Sequence, residues 1–264
     1  MTYKSKVICL VLTNSKDPWK KIFHEGAEAT WIPQAAKFMK IYSYTGRAPG
    51  VIHSARESLT GRMRHSRFDF VQRFIDRWFR KVFMRFPLDQ SLINGNIYQR
   101  EVELHSTIGV RTLSAFEFVL NDSDWEYLWR ANVSNYVYAP CLFSTIENLP
   151  KGNLAAGVIN HFGDVPYLSG AGYLLSRDVV ERVIENARFW NNAYLDDVAL
   201  GLLLLDLNIP LLPVERLSIS NVSQLDEYSR SELVNYASFR CNGLHDRSQD
   251  ILIMKRLNQE LYGS

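Results

Sequence analysis

Lys6 to Leu12 reads Lys-Val-Ile-Cys-Leu-Val-Leu, an almost continuous apolar run that stops at the polar residues Thr13, Asn14 and Ser15. A strand without polar alternation is buried on both faces, and such strands belong to largely parallel sheets covered by helices on either side. The residues that follow agree with this. Trp19 to about Thr30 reads as a helix, and Met39 to Tyr44 as a second short strand stopped by Thr45-Gly46-Arg47. Strand, helix, strand opens an α/β sheet, in which ligands sit beyond the carboxyl ends of the strands. That rule points to Thr13, Asn14 and Arg47, each of which is otherwise an ordinary turn residue.

The chain has 264 residues, 47% of them hydrophobic and 22% charged, enough for one sizeable core and no reason to divide it. We expect a single domain over 1–264 with a helical excursion at about 55–90. Cys9, Cys141 and Cys241 are far apart and form neither a CxxC nor a Cys/His metal spacing, which fits free thiols in a reducing compartment. The first apolar run and the leucine-rich run near Leu200 are too short to span a membrane. The expected location is therefore the cytoplasm. His24-Glu25 begins like a zinc-protease helix, but the fifth position is Glu28 instead of a second histidine.

Between Arg56 and Phe86 arginines and Lys81 alternate with Phe68, Phe70, Phe74, Trp78, Phe79, Phe83 and Phe86. On a helix the aromatics cover one broad side. Such a face serves peripheral attachment to an anionic membrane at its inner surface, or packing on the core. No nucleic-acid-binding motif accompanies the arginines, so nucleic acid is not an expected partner. Further on, Gly95-Asn96 marks a turn, Glu101 to His105 reads as a strand and Ile108 to Leu120 as a helix. A short strand from Tyr127 to Trp129 runs into a polar loop, Arg130 to Asn135, before a helix from Pro140 to Leu149.

The segment from Tyr167 to Gly201 is the richest in chemistry. It holds what reads as a glycine turn, Gly170-Ala171-Gly172, then a helix from Asp178 to Asn186, then Phe189, Trp190 and Tyr194. Asp196-Asp197 opens a further helix. Glycine lets a backbone approach a ligand closely. Carboxylates at a helix start are most often caps that favour the positive end of the dipole.

In order and content these pieces resemble the β-1,3-galactosyltransferase and fringe group of GT-A glycosyltransferases. That family's usual Y-C-S-G-G-G-Y-V-L-S-R is similar to Tyr167-Leu168-Ser169-Gly170-Ala171-Gly172-Tyr173-Leu174-Leu175-Ser176-Arg177, and its E-D-V-x-x-G to Asp196-Asp197-Val198-Ala199-Leu200-Gly201. Ala27 to Trp31 and Arg111 to Phe116 resemble two of its helices. The resemblance implies a GT-A fold, a Rossmann-like mixed sheet flanked by helices, and inverting transfer of a sugar from a nucleotide-sugar donor, a UDP-sugar above all. The implied acceptor is a hydroxyl of a glycan or lipid-linked saccharide, as in polysaccharide biosynthesis. Asp197 then stands at the general-base position and Asp196 as a helix cap and orienting neighbour. Gly170, Ala171, Gly172, Trp190 and Tyr194 fall on the acceptor side, the aromatics for stacking on sugar or for the core.

One departure stands out. Where the family carries Asp-x-Asp to hold Mn²⁺, this chain has Asn132 and Ser134. Neutral oxygens bind divalent ions more weakly than carboxylates, which leaves dependence on Mn²⁺ or Mg²⁺ open. Arg130, Arg240, His245 and Arg247 are the cationic candidates for the donor's diphosphate, His245 at the position of a late family histidine that reaches the metal. The departure also keeps an alternative in play, a catalytically silent glycan- or nucleotide-binding protein on the same fold.

Overall fold

Val7–Leu12 forms β1, and neighbouring strands pair with it on both sides. The computed structural model describes residues 6–47, 90–104, 107–122 and 124–263. The basic aromatic stretch 56–86 and His105 lie outside the described residues. After β1 the chain forms α1 (Trp19–Lys21), a π-helical segment Ile22–Ala27, and α2 (Trp31–Ala35). The helix expected from Trp19 to about Thr30 is continuous in α and π form to Ala27 and ends there; the Thr30 hydroxyl donates to the Gly26 carbonyl at 2.6 Å and competes with the helical ladder. β2 spans Lys40–Arg47, so Gly46 and Arg47 continue the strand instead of stopping it. β3 (Gln90–Ile93) and β4 (Asn96–Val102) make a hairpin whose turn residues, Asn94 and Gly95, have φ of 50° and 78°. Those left-handed values suit Asn-Gly.

The remaining elements are α3 (Ile108–Leu120), β5 (Tyr127–Asn132), β6 (Asn135–Val137), α4 (Ala139–Glu147), β7 (Ala155–Phe162), β8 (Val165–Ser176) and α5 (Arg177–Glu185). They are followed by α6 (Asp196–Asp206), β9 (Leu211–Pro213), β10 (Leu217–Ile219), α7 (Arg230–Leu233), β11 (Ser238–Cys241) and α8 (Ser248–Tyr262). Among the described residues the main sheet has the order β3-β4-β2-β1-β5-β8-β7-β9, and a small sheet has the order β10-β11-β6. β1 is parallel to β2 and β5, whereas β8 is antiparallel to β5 and β7.

Alternate residues of β1 feed two apolar layers. Val7, Cys9 and Val11 join Trp31, Phe143, Phe239 and Met254 on one side; Ile8 and Leu10 join Phe116, Val180 and Leu200 on the other. The fold is thus a mixed α/β sheet flanked by helices. No described helix is long and apolar enough to cross a membrane.

Three features position the site. The carboxyl ends of β1 and β5 lie side by side, Leu12 against Asn132. Because β8 runs antiparallel to β5, Gly172 sits opposite Ala131 at that same end. The glycine segment is therefore strand and not turn. Its pairing with β7 slips, Gly157 opposing Tyr173 and Ile159 opposing Leu168, so that Ser169 to Gly172 bulge out of the ladder. Bulges of this sort redirect side chains at sheet edges and beside sites.

Candidate active site

Asp196 and Asp197 begin α6 as its first residues, after the N-cap Leu195. Asp196 is not a cap. Its Oδ2 accepts from Arg130 Nη2 at 2.6 Å, and Thr112 Oγ1 lies 3.4 Å away. Arg130, on β5, also donates to Tyr44 Oη at 3.1 Å and to the Gly170 carbonyl, and its guanidinium lies 5.6 Å from the Tyr173 ring centre. The Arg130 side chain is 1% exposed. It is committed inside the protein and unavailable to a donor phosphate, which corrects the role expected from its place beside Asn132. Burial penalises its charge, but Asp196 and Tyr44 more than offset this and its pKa is raised.

Asp197 faces the bulge. Its Oδ2 accepts the Gly170 N–H at 3.1 Å and its Oδ1 the Val198 N–H at 2.9 Å. Burial, then the neighbouring Asp196, raises its pKa above the ordinary carboxylate value; the backbone donors and Arg130 pull the other way. A Cβ at 170 would stand 3.0 Å from Asp197 Oδ2, so any larger residue there would press on the carboxylate. At Gly172 a Cβ would stand 2.4 Å from Asn135 Nδ2. Asn135 is fully buried, and neither of its amide atoms has a partner among the described residues.

Of the residues expected to meet an acceptor, Gly170 is half-buried beside Asp197, whereas Ala171 and Gly172 are buried. Trp190 belongs to the core between α3 and α6, 6% exposed, with its ring nitrogen against Gly109. That corrects the stacking role. The large indole found enough apolar surface under α3 to be buried. Tyr194 remains exposed and packs edge-on against exposed Phe162, with ring centres 5.4 Å apart.

Beyond the ends of β1 and β5 lies a cleft of about 300 Å³ lined by Thr13, Asn14, Trp19, Glu103, Arg111 and Asn132 among others. Glu103 organises its floor, accepting from Ser15 N–H at 2.9 Å, Ser15 Oγ at 2.5 Å, Thr45 Oγ1 and Gly46 N–H. Arg111 donates to the Thr13 carbonyl at 3.2 Å. Sequence reasoning missed Trp19, Glu103 and Arg111; the one signal for Glu103 was a charge between Val102 and Leu104. Arg47 lines a different hollow, with Gln90, Tyr98 and Arg100, and donates to the Arg100 carbonyl at 2.7 Å. This corrects its expected place beside Thr13 and Asn14.

Asn132 and Ser134 do not offer a divalent cation a suitable donor set. Asn132 Oδ1 accepts the Ser134 N–H at 3.0 Å, closing the turn into β6. Ser134 Oγ accepts from Arg247 Nη2 at 2.6 Å and donates to Asp250 Oδ2 at 3.2 Å. A guanidinium thus stands against the very oxygen a metal would need, and like charge excludes the ion. Arg247 also pairs with Asp250 at 2.5 Å and lies 4.7 Å from the Trp19 ring centre, which ties this cation to the cleft. His245 is exposed in the loop between β11 and α8, and no group of three or more His, Cys, Asp or Glu residues able to hold a metal occurs among the described residues. Arg240 lies on β11 opposite Asn135, and beside it is Arg216, which the sequence reading did not single out.

A family model described as galactosyltransferase matches residues 110–215, from α3 through the β8 bulge and α6 to just past β9. No curated protein matches the sequence. Among solved structures, the chain is similar to the galactosyltransferase LgtC in complex with donor and acceptor sugar analogues, at 10% identity and a TM-score of 0.48 over 96% of this chain and 94% of that one. It is also similar to a glycosyltransferase involved in glycosylation of the major capsid of PBCV-1, at 10% identity and a TM-score of 0.47 over 94% and 99%. A third likeness is to the apo form of the glycosyltransferase GlyE of Streptococcus pneumoniae, at 8% identity and a TM-score of 0.45 over 98% and 63%. The bulge and the paired aspartates both lie inside the segment that the galactosyltransferase model matches, a segment of less than half of the chain.

Proposed function

We propose that the protein is an inverting glycosyltransferase that moves a sugar from a nucleotide-sugar donor, a UDP-sugar, to a hydroxyl of a glycan or lipid-linked saccharide, with Asp197 as general base. The observation that carries this reading is the Asp197 carboxylate, held by the Gly170 N–H at the bulge and raised in pKa by burial. Arg130 is spent on Asp196, so Asp197 keeps its basicity. The acceptor oxygen bonds to the anomeric carbon as that carbon's bond to the diphosphate oxygen breaks. The hydroxyl proton passes to Asp197, and the nucleoside diphosphate leaves with the electron pair. A positioned base of this kind contributes about 10²- to 10⁴-fold. The cleft at Thr13, Asn14, Trp19 and Asn132 has room for the nucleotide end of the donor. Tyr194 on Phe162 offers an exposed ring for the acceptor sugar.

Asp197→Asn tests this. Transfer should fall by about two to four orders of magnitude, while donor binding, read as a thermal shift, is retained. Unchanged turnover would remove Asp197 from the role. The base acts only when ionised, so the wild-type rate should decline as pH falls through its raised pKa, placing the acid limb above the ordinary aspartate value.

A further inference from the structure

Arg216 and Arg240 are neighbouring cations, and no anion among the described residues pairs with either. Arg240 lies on β11, paired on one side with Asn135 of β6 and on the other with Ser218 of β10. Arg216 precedes β10 by one residue and donates from Nη1 to Ser169 Oγ at 3.1 Å, on the first residue of the bulge. Its Nε is buried and has no partner among the described residues. Neither arginine has a carboxylate partner among the described residues, whereas Arg130 has Asp196 and Arg247 has Asp250. Burial, then the nearness of Arg240, pushes the Arg216 pKa down to about 10. Two guanidinium groups held together without a counter-ion destabilise the empty protein. They are stabilised when an anion with several acceptor oxygens bridges them.

Resting on the transferase reading above, we propose that Arg216 and Arg240, with the Ser169 hydroxyl, form a clamp for the donor's diphosphate, supplying the positive charge that Asn132 and Ser134 cannot recruit as a metal ion. Ser169 adjoins Gly170, whose N–H holds Asp197, so clamp and base hang on consecutive residues of one bulge. A sugar carried by the clamped diphosphate is thereby brought to the base.

The test is calorimetric titration of the full chain with inorganic pyrophosphate in the presence of EDTA. Pyrophosphate should bind without metal, and Arg216→Gln and Arg240→Gln should each weaken it about ten- to hundredfold, the worth of a hydrogen bond to a charged group. Arg240→Lys should retain more affinity than Arg240→Gln. UDP should displace the pyrophosphate competitively. The separate change at Arg240 keeps the test open if a change at Arg216 disturbs folding, which circular dichroism checks. Binding that requires Mn²⁺ or Mg²⁺, or binding indifferent to both substitutions, overturns the clamp. Failure of UDP to compete overturns its assignment to the donor and gives the anion site to a phosphate-bearing acceptor. Because no transfer is measured, these outcomes are independent of whether Asp197 is the base.

Discussion

At the scale of single residues, the two adjacent aspartates at the start of α6 differ because one side chain turns down to Arg130 and the other up to the bulge. Asp196 neutralises a buried guanidinium, and removing one member of such a pair leaves the other charged and desolvated. Asp196→Asn should therefore destabilise the fold by about 3–5 kcal/mol in urea unfolding. Replacing both partners by apolar residues, Arg130→Met with Asp196→Leu, should recover most of that loss; a double variant as unstable as the single one would show that the pair is not the cause. In the sequence the two carboxylates were legible as a site, but their division of labour was not. The sequence has no way to show that Arg130, sixty-six positions earlier, lies within 2.6 Å of Asp196. Trp190 carries the same lesson. An aromatic residue beside two carboxylates suits a sugar or a core equally well, and only packing against Gly109 decides for the core.

At the scale of elements, the site depends on α6 lying flat on β8. Gly201 permits this, since a Cβ there would stand 2.5 Å from Tyr167 Cβ and 2.9 Å from the Pro166 carbonyl. Gly201→Ala must lift the helix that carries Asp197 or push β8 aside. We expect it to cost about 1–3 kcal/mol of stability, as overpacking does, and to lower transfer more than it lowers donor binding. Denaturant titration and steady-state kinetics check the two halves; full activity at full stability would refute the packing argument. Helix α3 appeared at Ile108–Leu120, as its apolar spacing requires. The Gly170–Gly172 segment did not appear as a turn. Local composition marks glycines as breakers, but the segment lies within β8, where Gly172 pairs with Ala131 of β5 and the residues flanking the bulge pair with β7.

At the scale of the whole molecule, one sheet separates two apolar layers that share β1 and β5, so neither layer persists without the other. We expect the chain to unfold as a single domain, with tryptophan fluorescence and far-ultraviolet circular dichroism coincident in urea; Trp31 reports one layer and Trp190 the other. Two separated transitions would divide it. By itself the sequence determined the α/β class, because an unbroken apolar strand must be covered on both faces. It also determined the family resemblance, because the glycine segment and Asp196-Asp197 are contiguous motifs. Only the tertiary structure decided which cations are spent and which are free. Arg130 meets Asp196, sixty-six positions away, and Arg247 reaches Ser134 across the fold, while Arg216 meets the Ser169 hydroxyl and no carboxylate among the described residues. Charge pairing depends on distances between elements, and those distances do not exist until the sheet has formed.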